Sequence, residues 1–346
     1  MVQRSLALWP ALLALLATAC STSTSHVTPA PEVVLVGPGA AVPSALNLQS
    51  NLFVEGGFGQ RNGMTVSLRT APGPQSLAAL ESGQSEFVLT NPATVFNAVE
   101  AGASVRIVAA YSLTFPTAIV ARAEIGSVAE LAGRTVAVSS LGDVPQIYTN
   151  AYLSGSGLVD AKAVKYAGAG NYANAIAYLT SGQADAAWVL APNLPALLKK
   201  NSGLHVLVPP EEFAVHAPSA GTVLVVKGGA DRARVQKVVD MVISGTRVLY
   251  DDEATYVSLM RQVLPGVYTV EEATAQYRQL RPSLAVNGGL TKSVLEQSIA
   301  LWRRYSAPRG AGLAEVSSVV DPSFVADAIA RLGVRGDVSD LGDMRG

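Results

Sequence analysis

Two stretches of the chain, "ALESGQSEFVLTNP" from Ala79 and "YLTSGQADAAWVLAP" from Tyr178, repeat one small unit. In each, apolar residues at helical spacing end at a glycine, Gly83 or Gly182, and a short apolar strand then runs into a loop of Asn and Pro. The surroundings repeat as well. "EVVLVGPGAAVPSALNL", "MTVSLRTAPGPQSLAALESGQ", "EFVLTNPATVFNAVEAG" and "SVRIVAAYS" alternate strand, loop and helix. "RTVAVSSLGDVPQIYTNAYL", "AVKYAGAGNYANAIAYLTSGQ", "ADAAWVLAPNLPALLKK" and "LHVLVPP" do so again in the same order, and aligning the SGQ triplets sets Gln75 to Leu80 opposite Asn174 to Leu179. Alternating strands and helices predict two α/β domains, each with parallel strands whose following loops gather at one edge of the sheet.

Two such edges can face each other across a cleft, where a ligand would sit. "YSLTFPTAIVARAE" leads out of the first copy and "HAPSAGTVLVVKGG" leads back, and both read as apolar hinge strands bordered by Pro or Gly. The remainder, from about Asp231, is helical: Val235, Val238, Val239, Val242 and Ile243 stand at helical spacing, and "VEEATAQYRQL" and "SVLEQSIALWRRY" continue the pattern. The expected division is a first lobe of residues 32–115 and 222–335, completed by these helices, and a second lobe of residues 116–221.

With 346 residues, 49% of them hydrophobic, the chain can bury two such cores. Its 25 basic and 26 acidic residues nearly cancel, and no basic block could track a phosphate backbone, so nucleic acid is not an expected partner. The first residues differ from the rest. Arg4 precedes "LALWPALLALLATAC", which is too short to span a bilayer and ends abruptly in small residues, so residues 1–19 read as an export signal. "STSTSHVTPAPE" then has too little apolar content to pack and makes residues 20–31 an extended tether. The single cysteine, Cys20, excludes an internal disulfide.

Leu16, Ala17, Thr18, Ala19 and Cys20 resemble the lipobox of bacterial lipoproteins, which implies cleavage before Cys20 and its acylation; a plain secretory signal with an incidental cysteine is the alternative. "SVAELAGRTVAVSSLGD", the paired SGQ stretches and the late "VVDPSFVADAIARLG" resemble the bacterial solute-binding proteins of ABC importers for nitrate, sulfonates, taurine and thiamine-pyrimidine precursors. The resemblance covers nearly all of the chain after the tether. It implies the two-lobe periplasmic-binding-protein fold of the second type, a solute site between the lobes, hinge closure and docking on membrane permease subunits. One departure is local: where family members carry a "GFF", acidic and "GL" run, this chain has "LFVEGGFGQRNGMTV". A related eukaryotic branch makes the thiamine pyrimidine as an enzyme with cysteine-rich and histidine elements, whereas this chain has one cysteine and only His26, His205 and His216.

In such a fold, solutes are held by the loops after strands and the first turns of the following helices, where backbone N–H groups and the helix dipole favour anions. The first-lobe candidates are Gly39, Ala40, Gln75, Ser76, Asn91 and, at the outgoing hinge, Thr114 and Phe115. The second-lobe candidates are Ser139, Ser140, Gly142, Asn171, Tyr172 and Asn193. "AVSSLGD" sets two hydroxyls and a glycine between strand and helix; helix capping is the alternative role for those serines, and Asp143 counts against a strongly anionic ligand there. Asn91 and Asn193 flank proline in corresponding loops and can donate and accept, or simply make turns. Trp188 reads as core. Phe115 and Tyr172 favour a ligand with planar or apolar surface, an organic anion or heteroaromatic over nitrate.

No Ser, His and Asp set sits in a nucleophile-elbow context, no His or Cys cluster has metal-ligand spacing, and "GAGNYANA" lacks the lysine of a phosphate loop, so the sequence predicts no catalysis, metal or cofactor. The expected protein is a monomeric lipoprotein of the cell envelope, facing the periplasm or exterior, that binds a small polar or anionic organic solute for an ABC permease. A lipoprotein that senses the same solute and signals to a membrane partner fits the sequence equally.

Overall fold

A computed structural model of the chain describes residues 32–37, 48–71, 73–114, 116–217, 221–289, 292–305 and 319–335. The signal segment, the tether, Cys20, Gly39, Ala40 and Phe115 lie outside the described residues. The first copy of the repeat forms β1 (Glu32–Gly37), α1 (Leu48–Glu55), α2 (Phe58–Arg61), β2 (Thr65–Thr70), α3 (Gly73–Glu81), β3 (Phe87–Thr90), α4 (Pro92–Glu100) and β4 (Val105–Ser112). The chain then crosses into β5 (Thr117–Arg122), β6 (Thr135–Val138), α5 (Val144–Ser156), β7 (Lys165–Gly168), α6 (Tyr172–Ser181), β8 (Ala186–Leu190), α7 (Leu194–Lys200), β9 (Leu204–Val208) and α8 (Pro210–His216). It returns through β10 (Thr222–Lys227) to α9 (Arg232–Asp251), α10 (Glu253–Val263), α11 (Val270–Leu280), α12 (Lys292–Tyr305) and α13 (Ser323–Leu332).

The strands make two five-stranded sheets, ordered β2-β1-β3-β10-β4 and β7-β6-β8-β5-β9. These are the same sheet twice. β1 pairs parallel with β2 and β3, and β6 pairs parallel with β7 and β8. With the SGQ triplets aligned, Gly73 falls on Tyr172 and Phe87 on Ala186, which are the first residues of α3 and α6 and of β3 and β8.

The expectation of wholly parallel sheets is corrected by the crossing segments. β10 runs antiparallel between β3 and β4, and β5 runs antiparallel between β8 and β9. Each connection therefore becomes an interior strand of the lobe it enters. The side chains explain why: Thr117–Ala121 and Thr222–Val226 are buried throughout, and a strand covered on both faces must also find backbone partners on both edges. In β5 the alternation is strict, with Ile119 and Ala121 in one apolar cluster and Ala118 and Val120 in another.

At the crossing the two connections lie side by side. Gly221 donates its N–H to the carbonyls of Ser112 and Leu113 at 3.1 and 3.2 Å, and Thr222 N–H donates to Ser112 Oγ at 2.9 Å. A Cβ at Gly221 would lie 2.4 Å from Ser112 Oγ and 2.5 Å from the Thr114 carbonyl, so only glycine fits. Of the late helices, α9 and α13 pack together and on β4. α12 goes further, touching α4 of the first lobe and α5 of the second.

Candidate functional site

The loops after β3 and β6 meet where the lobes touch. Asn91 precedes Pro92, which disfavours helical backbone before it, so Asn91 stays extended (φ −90°, ψ 155°) and its side chain accepts the Thr94 N–H at 2.8 Å. The Asn91 amide nitrogen also faces the Asp143 carboxylate across the lobe boundary at 3.5 Å.

On the opposite side, Gly142 takes a positive φ of 76° and donates its N–H to Gln146 Oε1 at 2.7 Å. Asp143 then caps α5, accepting the Val144 N–H at 2.8 Å. The capping role that is the alternative for Ser139 and Ser140 falls to Asp143. Ser139 is buried with its side chain against the Tyr172 hydroxyl, while Ser140 is exposed. Burial pushes the Asp143 carboxyl above its ordinary range; the Val144 N–H and the Asn91 and Thr94 side chains pull it back in part.

Two tyrosines feel the charge of this carboxylate. Tyr148 of α5 and Tyr172 of α6 both have hydroxyls held far above their usual value, first by burial and then by the negative charge of Asp143, with Ser139 easing Tyr172 in the other direction. The Tyr172 ring is half-buried and tilts onto Trp188 with centroids 5.4 Å apart. Trp188 is core, as expected, at 2% exposure, yet its indole N–H has no acceptor among the described residues. Ser139 follows β6, and Trp188 lies mid-strand in β8, its parallel neighbour in the sheet.

A cleft of about 480 Å³ opens beside Asp143, with Leu77 and Ala78 of α3, Thr94 and Ala98 of α4, and Ser140 and Leu141 of the opposing loop in its lining. Leu141 is 61% exposed.

The other sequence candidates are more scattered. Gln75 is exposed and Ser76 buried on α3. Thr114 is half-buried at the crossing. Asn171 caps α6 through the Asn174 N–H at 2.8 Å. Asn193 differs from its supposed counterpart Asn91: it lies in helical backbone at the end of a 3-10 turn, Ala191–Asn193, and makes no cap bond. Asp143, Thr94 and Tyr148 belong to the junction although sequence reasoning did not choose them. "GDVP" did carry the Asp143 signal, an Asx residue just before a first-turn proline, whereas Tyr148 is one apolar position among many on its helix.

Among the described residues no group of three or more His, Cys, Asp and Glu side chains could hold a metal, and no helix is long and apolar enough to cross a membrane.

No curated protein sequence matches the chain. Solved structures do match its fold. A protein from Bordetella bronchiseptica superposes with a TM-score of 0.71 at 16% identity, over 87% of this chain and 98% of that one. The periplasmic sulfonate-binding protein SsuA of Methylobacillus flagellatus superposes with a TM-score of 0.67 at 17% identity, over 92% and 99%. The nitrate-binding protein NrtA of Synechocystis does so with a TM-score of 0.65 at 12% identity, over 88% and 90%. Twin sheets joined by two exchanged strands are thus the two-lobe periplasmic-binding-protein fold, and since residues 54–252 match the model described as NMT1/THI5 like, the chain belongs to the NMT1/THI5-like family.

Proposed function

We propose that the chain is the extracytoplasmic solute-binding component of an ABC importer, anchored through acylated Cys20, with lobes of residues 32–115 plus 222–335 and residues 116–221 that close over a small polar organic solute. The carrying observation is the meeting of Asn91 and Asp143 across the lobe boundary: polar side chains from both lobes converge on a place that neither lobe completes alone. The family and the sulfonate- and nitrate-binding neighbours support the same reading. Ligand contact is assigned to Asn91, Ser139, Ser140, Gly142 and Tyr172 near this junction, and from loop position in the sequence alone to Gly39, Ala40, Gln75, Ser76, Thr114, Phe115, Asn171 and Asn193.

Thermal unfolding of the domain from Pro31 onward against sulfonates, taurine, nitrate, pyrimidines, amines and small carboxylates tests the reading. A solute at a hundred times its Kd adds about 2.7 kcal/mol, which moves the midpoint by a few degrees. Solution scattering should show contraction with that solute. A cooperatively folded sample that binds none of the panel and never contracts would sink the importer reading. Palmitate labelling that survives Cys20→Ala would sink the anchor.

A further inference from the structure

We propose that Leu141 is a positioning residue for closure: when the lobes close on a solute, its side chain seats on the alanine-lined face of α3 and α4 and sets how tightly the closed form is held, without touching the solute. This rests on the solute-binding reading above. Leu141 follows β6 in the second lobe and is 61% exposed. An exposed leucine is ordinary by itself. Its position is what carries the argument, because it lines the cleft of about 480 Å³ together with Leu77 and Ala78 of α3 and Ala98 of α4, all from the first lobe. Ala78 is exposed and Ala98 half-buried. Each lobe thus brings uncovered apolar surface to one space, and joining the two surfaces removes both from water.

A neighbouring contact gives the direction of approach. Asn91 Nδ2 donates to Asp143 Oδ1 across the boundary at 3.5 Å, longer than a good hydrogen bond, and the Thr94 side chain bonds the same carboxylate. Thr94 and Ala98, four residues apart, share one face of α4, and both line the cleft. The second-lobe loop therefore already meets that face at Asp143, while Leu141, two residues earlier, is still uncovered. The approach that shortens the long bond also carries Leu141 toward the same face.

Leu141 is supported on its own lobe as well. A Cβ on Gly168 would lie 3.2 Å from Leu141 Cγ, so the leucine rests on bare backbone at the end of β7. A side chain held in this way has less rotamer freedom to lose when it seats.

Cysteine trapping tests the contact directly, since a chain carrying Cys20→Ser has no other cysteine. In that chain, Leu141→Cys combined with Ala98→Cys or with Ala78→Cys should form a disulfide under mild oxidation. The bridge needs Cβ atoms about 4 Å apart, which closure supplies, so it should form faster with whichever of butanesulfonate, taurine, nitrate and 4-aminopyrimidine the wild type binds. Both pairs staying reduced, with and without these probes, would overturn the inference. Calorimetry with the same probes reads the energetic side. Leu141→Ala should weaken the bound probe about tenfold, the order expected from a leucine side chain left uncovered, and should leave the unfolding midpoint of the solute-free protein unchanged. Ala78→Asp on the opposite wall should weaken the probe in the same way, and the two losses should not add. An unchanged Kd in Leu141→Ala, or an equal loss of solute-free stability, would overturn the inference and leave solute binding intact. A trapped disulfide in a protein that binds no member of the wider panel would uphold the lobe-to-lobe contact and sink the solute-binding reading.

Discussion

The helix after the third strand is held in both lobes, but by opposite means. In the first lobe Asn precedes Pro, the backbone stays extended, and Asn91 caps α4; in the second, Pro192 precedes Asn193, the chain enters a helical turn at once, and the cap is lost. The late part of the chain pins each in turn. Trp302 of α12 donates from Nε1 to Asn97 Oδ1 of α4 at 2.7 Å and packs edge-on to Phe96 at 5.9 Å. For the second lobe, buried Tyr268 donates its hydroxyl to the Pro192 carbonyl. Duplication thus supplied two equal frames, and the unduplicated helices decided how each frame is tied down. A tie from one lobe to the other also limits how far they can move apart.

The largest break in this comparison should come from Trp302→Ala. It removes a fully buried indole of α12, the helix that touches both α4 and α5, and should cost about 3–5 kcal/mol in denaturant unfolding. A loss under about 1 kcal/mol would mean that α12 does not tie the lobes. Tyr268→Phe keeps the ring and leaves the Pro192 carbonyl unpaired, so a loss of about 1–3 kcal/mol is expected. Equal stability for this variant would remove the second-lobe pin.

Asn91→Ala against Asn193→Ala is the direct contrast. Loss of the cap should cost the first about 1 kcal/mol, while the second should stay within about 0.5 kcal/mol, both read from urea midpoints. Equal losses would show that the two loops are not held differently after all.

The smallest effect is the pH dependence of Asp143. Burial raises its folded carboxyl above the ordinary 3.8, so the folded state holds this proton more tightly than the unfolded one. Its contribution is fully present below 3.8 and is lost as pH climbs through the raised folded value. Asp143→Asn should therefore unfold at a higher midpoint relative to wild type at neutral pH than at acid pH. A pH-independent difference between the two proteins would contradict a raised folded carboxyl.

Much of the frame was legible because the repeat was written in local signals. The glycines that end α3 and α6, Gly83 and Gly182, have positive φ as their positions suggested, and the apolar runs at Phe87 and Ala186 start matched strands. The strand order was less accessible. A run such as "GTVLVVKGG" states that it is extended and apolar, but not that it will lie antiparallel between β3 and β4; pairing partners are chosen by contacts far away in sequence. The site followed the same division. Asn91, Ser139 and Tyr172 could be proposed from loop position, yet Asp143 entered only as an objection, because nothing local says that its carboxylate will be buried against the other lobe.

The sequence by itself determined the two-fold α/β plan, since periodicity, glycine stops and proline placement act within a few residues of where they stand. Tertiary structure alone decided that the crossings become core strands, that α12 spans both lobes, and that Asp143 meets Asn91. Those outcomes depend on burial and on charge across the junction, and both are set only when distant segments exclude water from the same space.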